Sequence, residues 1–458
     1  MLFRSKPDGN YTDTTYDGYN YTVALHNIEG VTGNSLTTYE KDAFGRLVFV
    51  DAPNNDNIKS ADAEYFYDSQ DRLVKVDLDG QIRTFTYDNL GFLTSSENPE
   101  NGLVTIDSYD VWGNIVKYQD ANGTQGGYHI INEYDAKGRI KEKKKATFIG
   151  LNAAQTKILG TWVYDQYSDT DAYKNRLRYA VGFDGTTSAS FREDYTYAGP
   201  NGRIDNKIIR YSLQSVDQAL PINSYNFNYE YDNYGQVIEE KLLYGSINLA
   251  DIETAYNHGF TIDKYFNDKN GVHGLTYHPG GSLKTIPYGT GGTPAVSTTM
   301  LLEDNTSRLK NITSNYLGGQ WATGDYQYDG AGNIKSIGIG AMAQTFAYDA
   351  LSRLVNAEVI RKSTTGDSLL PAISYAYDDF GNLEERKITP NPNLPEDFLD
   401  SINIKTDISQ TETGVTDNRI ARLYKNRDIQ NPLTPSYDLN GNITRSEEHT
   451  SELQSRQS

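Results

Sequence analysis

The dipeptide Tyr-Asp occurs eleven times in 458 residues, where chance pairing of 36 Tyr and 40 Asp gives about three. Seven copies continue into Tyr-Asp-x-x-Gly, beginning at Tyr87, Tyr109, Tyr134, Tyr231, Tyr328, Tyr377 and Tyr437. Asn or Arg and then Leu or Ile often follow the glycine, as in Gly113-Asn114-Ile115, Gly138-Arg139-Ile140, Gly332-Asn333-Ile334 and Gly381-Asn382-Leu383. A short motif recurring at spacings near about 20 residues prescribes a repeat architecture.

The stretch from Tyr67 to Leu93 shows what one period does. Two β-rich runs, Val74 to Val76 and Ile82 to Tyr87, are separated by the turn signal Asp77-Leu78-Asp79-Gly80, so one period reads as one β-hairpin. The Asp opens the turn because its carboxylate accepts from backbone N–H groups two or three residues on. The Gly three positions later supplies the positive φ of a type I turn with a G1 bulge. The pairs Tyr87-Asp88 with Gly91, Tyr109-Asp110 with Gly113 and Tyr134-Asp135 with Gly138 follow this form. So do Tyr231-Asp232 with Gly235, Tyr328-Asp329 with Gly332, Tyr377-Asp378 with Gly381 and Tyr437-Asp438 with Gly441. After Tyr67-Asp68 and Tyr348-Asp349 the glycine is replaced by Asp71 and Ser352, which predicts a different or costlier turn there. An aromatic residue stands two before many of these tyrosines, as in Tyr65/Tyr67, Phe85/Tyr87, Tyr229/Tyr231, Tyr326/Tyr328, Phe346/Tyr348 and Tyr375/Tyr377. Period-2 spacing puts both rings on one face, predicting aromatic ladders between hairpins. Packing is the leading role for these rings, and a sugar-stacking platform the alternative.

At roughly 20 residues per hairpin the chain holds about 40 strands, while open twisted sheets rarely exceed about 10 without curling or splitting. The expectation is an all-β fold. Its tandem hairpins form a long strip that coils into a hollow spiral or barrel-like shell. A hydrophobic fraction of 37% and mean hydropathy of −0.64 suit a strip with a wet face. The net charge of −19 argues against nucleic acid and anionic membranes as partners. The basic run Arg139, Lys141, Lys143, Lys144 and Lys145 reads as a solvated strand edge. There is no cysteine, so disulfides and thiolate metal sites are excluded. No apolar run is long enough for a membrane-spanning helix. Residues 1–7 show no signal-peptide core, which implies another export route or a missing true start.

Residues 1–444 read as one repeat-built segment, weakest at about 141–204 and 285–325. Leu151 to Leu159 reads as a helical turn or an extended hairpin loop, and residues 289–299 and 389–400 as loops. No linker is long enough to divide independent domains. Residues 445–458 break the pattern. Residues 445–455 match, one for one, the translation of a common sequencing-library adapter, so this tail is expected to be foreign and the reading frame cut short near codon 444.

No catalytic, cofactor-binding or metal-ligating residues are assigned. The histidines at 26, 129, 258, 273, 278 and 449 lack metal-ligand spacing. The glycines at 338 and 340 lack a βαβ unit. Asp77, Asp79, Asp165, Asp169 and Asp171 lack a calcium-loop pattern and read as turn carboxylates.

The Tyr-Asp-x-x-Gly-[Arg/Asn]-[Leu/Ile] grammar, over about residues 14–444, resembles the YD repeat of the Rhs family, related to teneurins and to the C component of insecticidal toxin complexes. The resemblance implies a shell that encloses a C-terminal toxin or presents an adhesion module. It implies a secreted or cell-surface bacterial protein, a non-enzymatic shell segment whose partner is its own C-terminal core or toxin. Surface glycans and a secretion apparatus are further implied partners, with no membrane insertion. Adhesion or carbohydrate binding is the alternative reading.

Overall fold

The computed structural model describes residues 2–5, 11–53, 61–149, 152–164, 175–183, 190–198, 202–212, 224–266, 269–289, 296–339, 342–361, 368–369, 372–388, 404–410, 416–425 and 433–445. The expected loop at 389–400, most of that at 289–299, three of the Asp residues singled out (165, 169 and 171) and the tail from 446 lie outside them. Strands dominate, and one short α-helix, Ala121–Gly126, occurs among the described residues. Asp120 caps it by accepting from the Gly123 N–H, and Gly127 ends it at φ 64°.

The chain divides into two compact units. The first comprises Met1–Thr105, Leu301–Ile312 and Ala322–Ser458, and the second Ile106–Met300 and Thr313–Trp321. In the first unit successive strands pair antiparallel, as Ala63–Tyr67, Leu73–Leu78, Gln81–Tyr87, Leu93–Asn98 and Gly102–Tyr109 do. The same order holds from Asp325–Tyr328 through Ile334–Ile339, Met342–Tyr348 and Leu354–Arg361, and on from Ile373–Tyr377 to Leu383–Ile388. In the second unit the hairpins run on through the stretch where the motif weakens, including Asn152–Tyr164, Leu177–Phe183 and Ser190–Thr196. Residues 152–159 are therefore strand, not a helical turn or loop. Their backbone pairs with Ile140–Ile149, which in turn pairs with Tyr128–Tyr134.

That pairing corrects the reading of the basic run as an edge, because Ile140–Ile149 has a neighbour on both sides. Its lysines are held by charge instead. Lys144 Nζ lies 2.6 Å from Glu133 and also pairs with Glu142, and Lys141 lies 3.3 Å from Glu133. Lys145 sits over the Tyr128 ring at 3.5 Å.

Among the described residues, buried apolar side chains are few: Ala24, Ile28, Ala63, Ile130, Ala146, Val181, Ala350 and Ile388. With so thin a core, the strip depends on what links one hairpin to the next.

Candidate functional site

The recurrent site is the Tyr-Asp turn. In the copy at Tyr67-Asp68, Asp68 Oδ1 accepts from the backbone N–H groups of Gln70 (2.8 Å) and Arg72 (3.0 Å). The Asp71 N–H donates to the Asp68 carbonyl, and the Asp68 N–H to the Arg72 carbonyl. The strand register shifts between Phe66 and Tyr67, as a bulge requires. The second carboxylate oxygen takes the side chain four residues on, Arg72 Nε at 2.7 Å. Asp135 takes Arg139 (2.7 Å) and Asp349 takes Arg353 (2.5 Å) in the same way. Asp110, Asp329, Asp378 and Asp438 take Asn114 (2.9 Å), Asn333 (3.0 Å), Asn382 (2.8 Å) and Asn442 (3.0 Å). This explains the Arg/Asn preference after the glycine, a pattern visible in the sequence whose purpose was missed. Both side chains carry N–H donors, and Asp accepts from either. In Asp88 and Asp232 the turn bonds are kept, with Phe92 and Gln236 at that position.

All seven motif glycines adopt positive φ, from 75° at Gly138 to 101° at Gly332. Asp71 and Ser352 do so too, at 63° and 61°. These copies use the same turn at a conformational cost, not a different turn. Asn175, Ser307 and Asn418 fill the same slot, each followed by Arg, at φ 65°, 57° and 60°. Ser307 and Asn418 mark repeats that lack the dipeptide and escaped the sequence reading, while Asn175 precedes Arg176 and Leu177, and Leu177 pairs in register with Tyr164 of a Tyr-Asp pair.

The tyrosines link neighbouring repeats. The hydroxyls of Tyr67, Tyr87, Tyr134, Tyr328 and Tyr348 donate to the carbonyls of Leu47, Leu73, Ile115, Leu309 and Ile334 at 2.7–3.0 Å. Tyr231 reaches Ile204, and Tyr437 reaches Ile420 at 3.3 Å. Each acceptor is the residue just after the Arg or Asn position of the preceding repeat. Tyr197, Tyr256 and Tyr277 do the same within degenerate stretches. Where Arg precedes the acceptor, its guanidinium stacks on the next tyrosine: Arg46 on Tyr67, Arg72 on Tyr87, Arg308 on Tyr328 and Arg353 on Tyr377, at 4.3–4.9 Å. The expected aromatic ladders therefore do not carry these contacts. A ring ladder does run elsewhere in the second unit, through Phe191, Tyr211, Tyr225 and Tyr244, with neighbouring centroids 5.1–6.3 Å apart.

These bonds set the electrostatics. The Arg72 backbone N–H is the largest influence on Asp68 and, with its guanidinium, outweighs desolvation to hold the carboxyl below its ordinary value. The Asn114 side chain does the same for Asp110. Burial pushes the phenols of Tyr231, Tyr328, Tyr348 and Tyr377 upward.

A second arrangement lies within the first unit, where turns some 300 residues later dock on earlier hairpin ends. Gly330 N–H donates to the Asn27 carbonyl (2.8 Å), and Tyr348 N–H to the Glu29 carbonyl (2.7 Å). Asp329 Oδ2 accepts from Glu29 N–H (3.1 Å), and the Ala350 carbonyl accepts from the Ser35 hydroxyl (2.7 Å). Ala61 N–H donates to the Asp379 carbonyl (3.1 Å). A side chain at Gly330 would strike the His26 carbonyl.

Chemistry is sparse. Among the described residues no three His, Asp or Glu side chains converge as metal ligands. His26 and His273 pair with Asp13 and Asp263, and His278 with the Met300 carbonyl. His129 lies 3.1 Å from Asp107. Asp77 accepts from the Gly80 N–H, as a turn carboxylate does. A cleft in the first unit is lined by Glu303, Thr306, Lys310, Asp325 and Tyr326 among others. Two of its carboxylates are engaged, Glu303 by Arg308 and Asp325 by Asn311, and Asp304 lines it too.

Three hairpin-linking devices repeated along an antiparallel strip define a β-hairpin repeat protein. No family model matches the chain, and no curated relative does. Solved structures do. A crystal structure of TcdB2-TccC3-TEV matches with a TM-score of 0.73 at 14% identity, over 96% of this chain and 23% of that one. TcdB2-TccC3-Cdc42 matches with a TM-score of 0.71 at 15% identity, with the same coverage of each chain. TcdB2-TccC3 matches with a TM-score of 0.70 at 14% identity, over 95% of this chain and 23% of that one. The chain thus shares the fold of the matched part of these TcdB2-TccC3 chains and spans about a quarter of their length.

Proposed function

We propose that this chain is a non-enzymatic shell segment of an Rhs-type secreted toxin, which carries or encloses a C-terminal effector. The observation that carries the reading is that the motif side chains are spent on the strip itself. Each motif Asp named above accepts backbone N–H bonds from its own turn, and each tyrosine hydroxyl named above donates to a backbone carbonyl. Several of the rings are covered by a guanidinium. A strip linked in this way needs no thick core, and the fold it shares with the toxin-complex chains supports a containing role. The covered rings disfavour a sugar-stacking platform.

The test fuses a protease-sensitive reporter polypeptide to the C-terminus of the chain and measures the protease resistance of that added segment. The reading expects it to survive digestion while attached and to be cut rapidly when expressed alone. Equal digestion in both forms would overturn containment.

A further inference from the structure

The docked turns of the first unit end in a cluster unlike the rest. Nearer its start the seam is largely backbone to backbone, through Asn27, Glu29, Gly330 and Tyr348. At Asn418 it is made of side chains. Asn418 and Gln81 exchange two carboxamide hydrogen bonds, Gln81 Nε2 to Asn418 Oδ1 at 3.0 Å and Asn418 Nδ2 to Gln81 Oε1 at 3.1 Å. Gln81 is 0% exposed. Asn418 Nδ2 also donates to Glu100 Oε1 at 2.7 Å, and Arg83 meets the same oxygen at 2.5 Å. Arg419 Nε donates to the Glu100 carbonyl at 3.1 Å. Asn382 Nδ2 donates both to Asp378 in its own turn and to Asn418 Oδ1, at 2.8 Å each. It thereby couples the cluster to the turn whose Asp379 carbonyl receives the Ala61 N–H.

We propose that Gln81, Glu100 and Asn418 form a side-chain clasp that holds this part of the seam and releases it without melting a strand. Asn418 stands at φ 60° in the slot where the motif has glycine. Backbone conformation alone favours Gly there, so the residue is explained by its carboxamide. Removing the Asn418 carboxamide takes both of these hydrogen bonds from the buried Gln81 side chain. The clasp acts through position. It sets which hairpin end each docked turn meets, and its loss frees the contact at Ala61 while the backbone contacts at Glu29 persist.

The test is hydrogen exchange by mass spectrometry on the intact chain, comparing peptides that contain Ala61 with peptides that contain Glu29 or Gly330. Asn418→Gly keeps the turn conformation and removes the carboxamide. Asn418→Asp keeps the shape and sets a charge against Glu100. Both should speed exchange at Ala61 tenfold or more and leave Glu29 and Gly330 within about twofold. Adding Gln81→Lys to Asn418→Asp should restore slow exchange at Ala61, a rescue that a generally destabilised fold would not give. Wild-type exchange in Asn418→Gly, or equal acceleration at all three positions, would overturn the proposal.

Discussion

Asp349→Ala is expected to damage the fold far more than Asp88→Ala, although both remove the same motif residue. The Asp349 side chain is fully buried. It accepts from the N–H groups of Leu351 and Arg353 at 2.9 Å each and from Arg353 Nε. Removal leaves two backbone donors to find new partners, at about 1 kcal/mol or more each. It also leaves the Arg353 guanidinium, 15% exposed, without its carboxylate. Breaking a buried pair costs about 3–5 kcal/mol, and because these terms overlap the expected total is about 3–5 kcal/mol. Asp88 accepts the same two N–H bonds, from Leu90 and Phe92, but has Phe92 where the others have Arg or Asn. Its loss is expected to cost about 1 kcal/mol. The three tryptophans, Trp112, Trp162 and Trp321, all lie in the second unit, so fluorescence is a poor reporter of either change. Native-state hydrogen exchange is the suitable assay, on the pair Met342–Tyr348 and Leu354–Arg361 for Asp349 and on Gln81–Tyr87 with Leu93–Asn98 for Asp88. About 3 kcal/mol corresponds to more than a hundredfold faster exchange, and 1 kcal/mol to less than tenfold. Equal losses at the two sites would refute the claim that the fourth-residue partner and burial set the strength of each turn.

Ser352→Gly should raise stability by about 0.4–1 kcal/mol in urea titrations followed by exchange, since Ser352 bears a left-handed φ of 61°; the lost Asn333 contact makes the lower figure the better expectation. Tyr348→Phe keeps the ring but removes the 2.7 Å bond to the Ile334 carbonyl, and should cost about 1 kcal/mol by the same measurement. In a pH series of thermal melts the turn carboxylates should lose stability at the acid end and the buried phenols at the alkaline end. The depressed carboxyls of Asp68 and Asp110 contribute above their ordinary 3.8, and that is lost as pH falls through the lower folded value. The raised phenols of Tyr328 and Tyr348 contribute below 10.0, and that is lost as pH climbs through the higher folded value.

The hairpin, its turn and its bulge were legible because they are local. Asp and Gly at fixed spacing prescribe a backbone conformation whatever surrounds them, and all seven glycines adopt it. What each tyrosine touches was not legible. Ring alternation is compatible with stacking on rings or on cations, and only the register between hairpins places Arg46 rather than an aromatic residue over Tyr67. The degenerate copies escaped because Ser307 and Asn418 reach positive φ without glycine. The neighbouring Arg was the signal available. The pairing of the basic strand on both sides was hidden for a related reason, since lysines facing Glu133 and Glu142 look in sequence like lysines facing water. The seam joins residues 300 or more apart, beyond any periodicity argument.

In the first unit, late turns return to dock on early hairpins. The chain contains no cysteine, so paired Ser35→Cys and Ala350→Cys substitutions can be read without background. These positions lie 315 residues apart in sequence and are joined by a 2.7 Å hydrogen bond. A short thiol-reactive crosslinker should close a single intramolecular loop at low protein concentration, seen as faster migration in denaturing gels. Loss of that product, or crosslinks only between molecules, would contradict the docking of late turns on early hairpins.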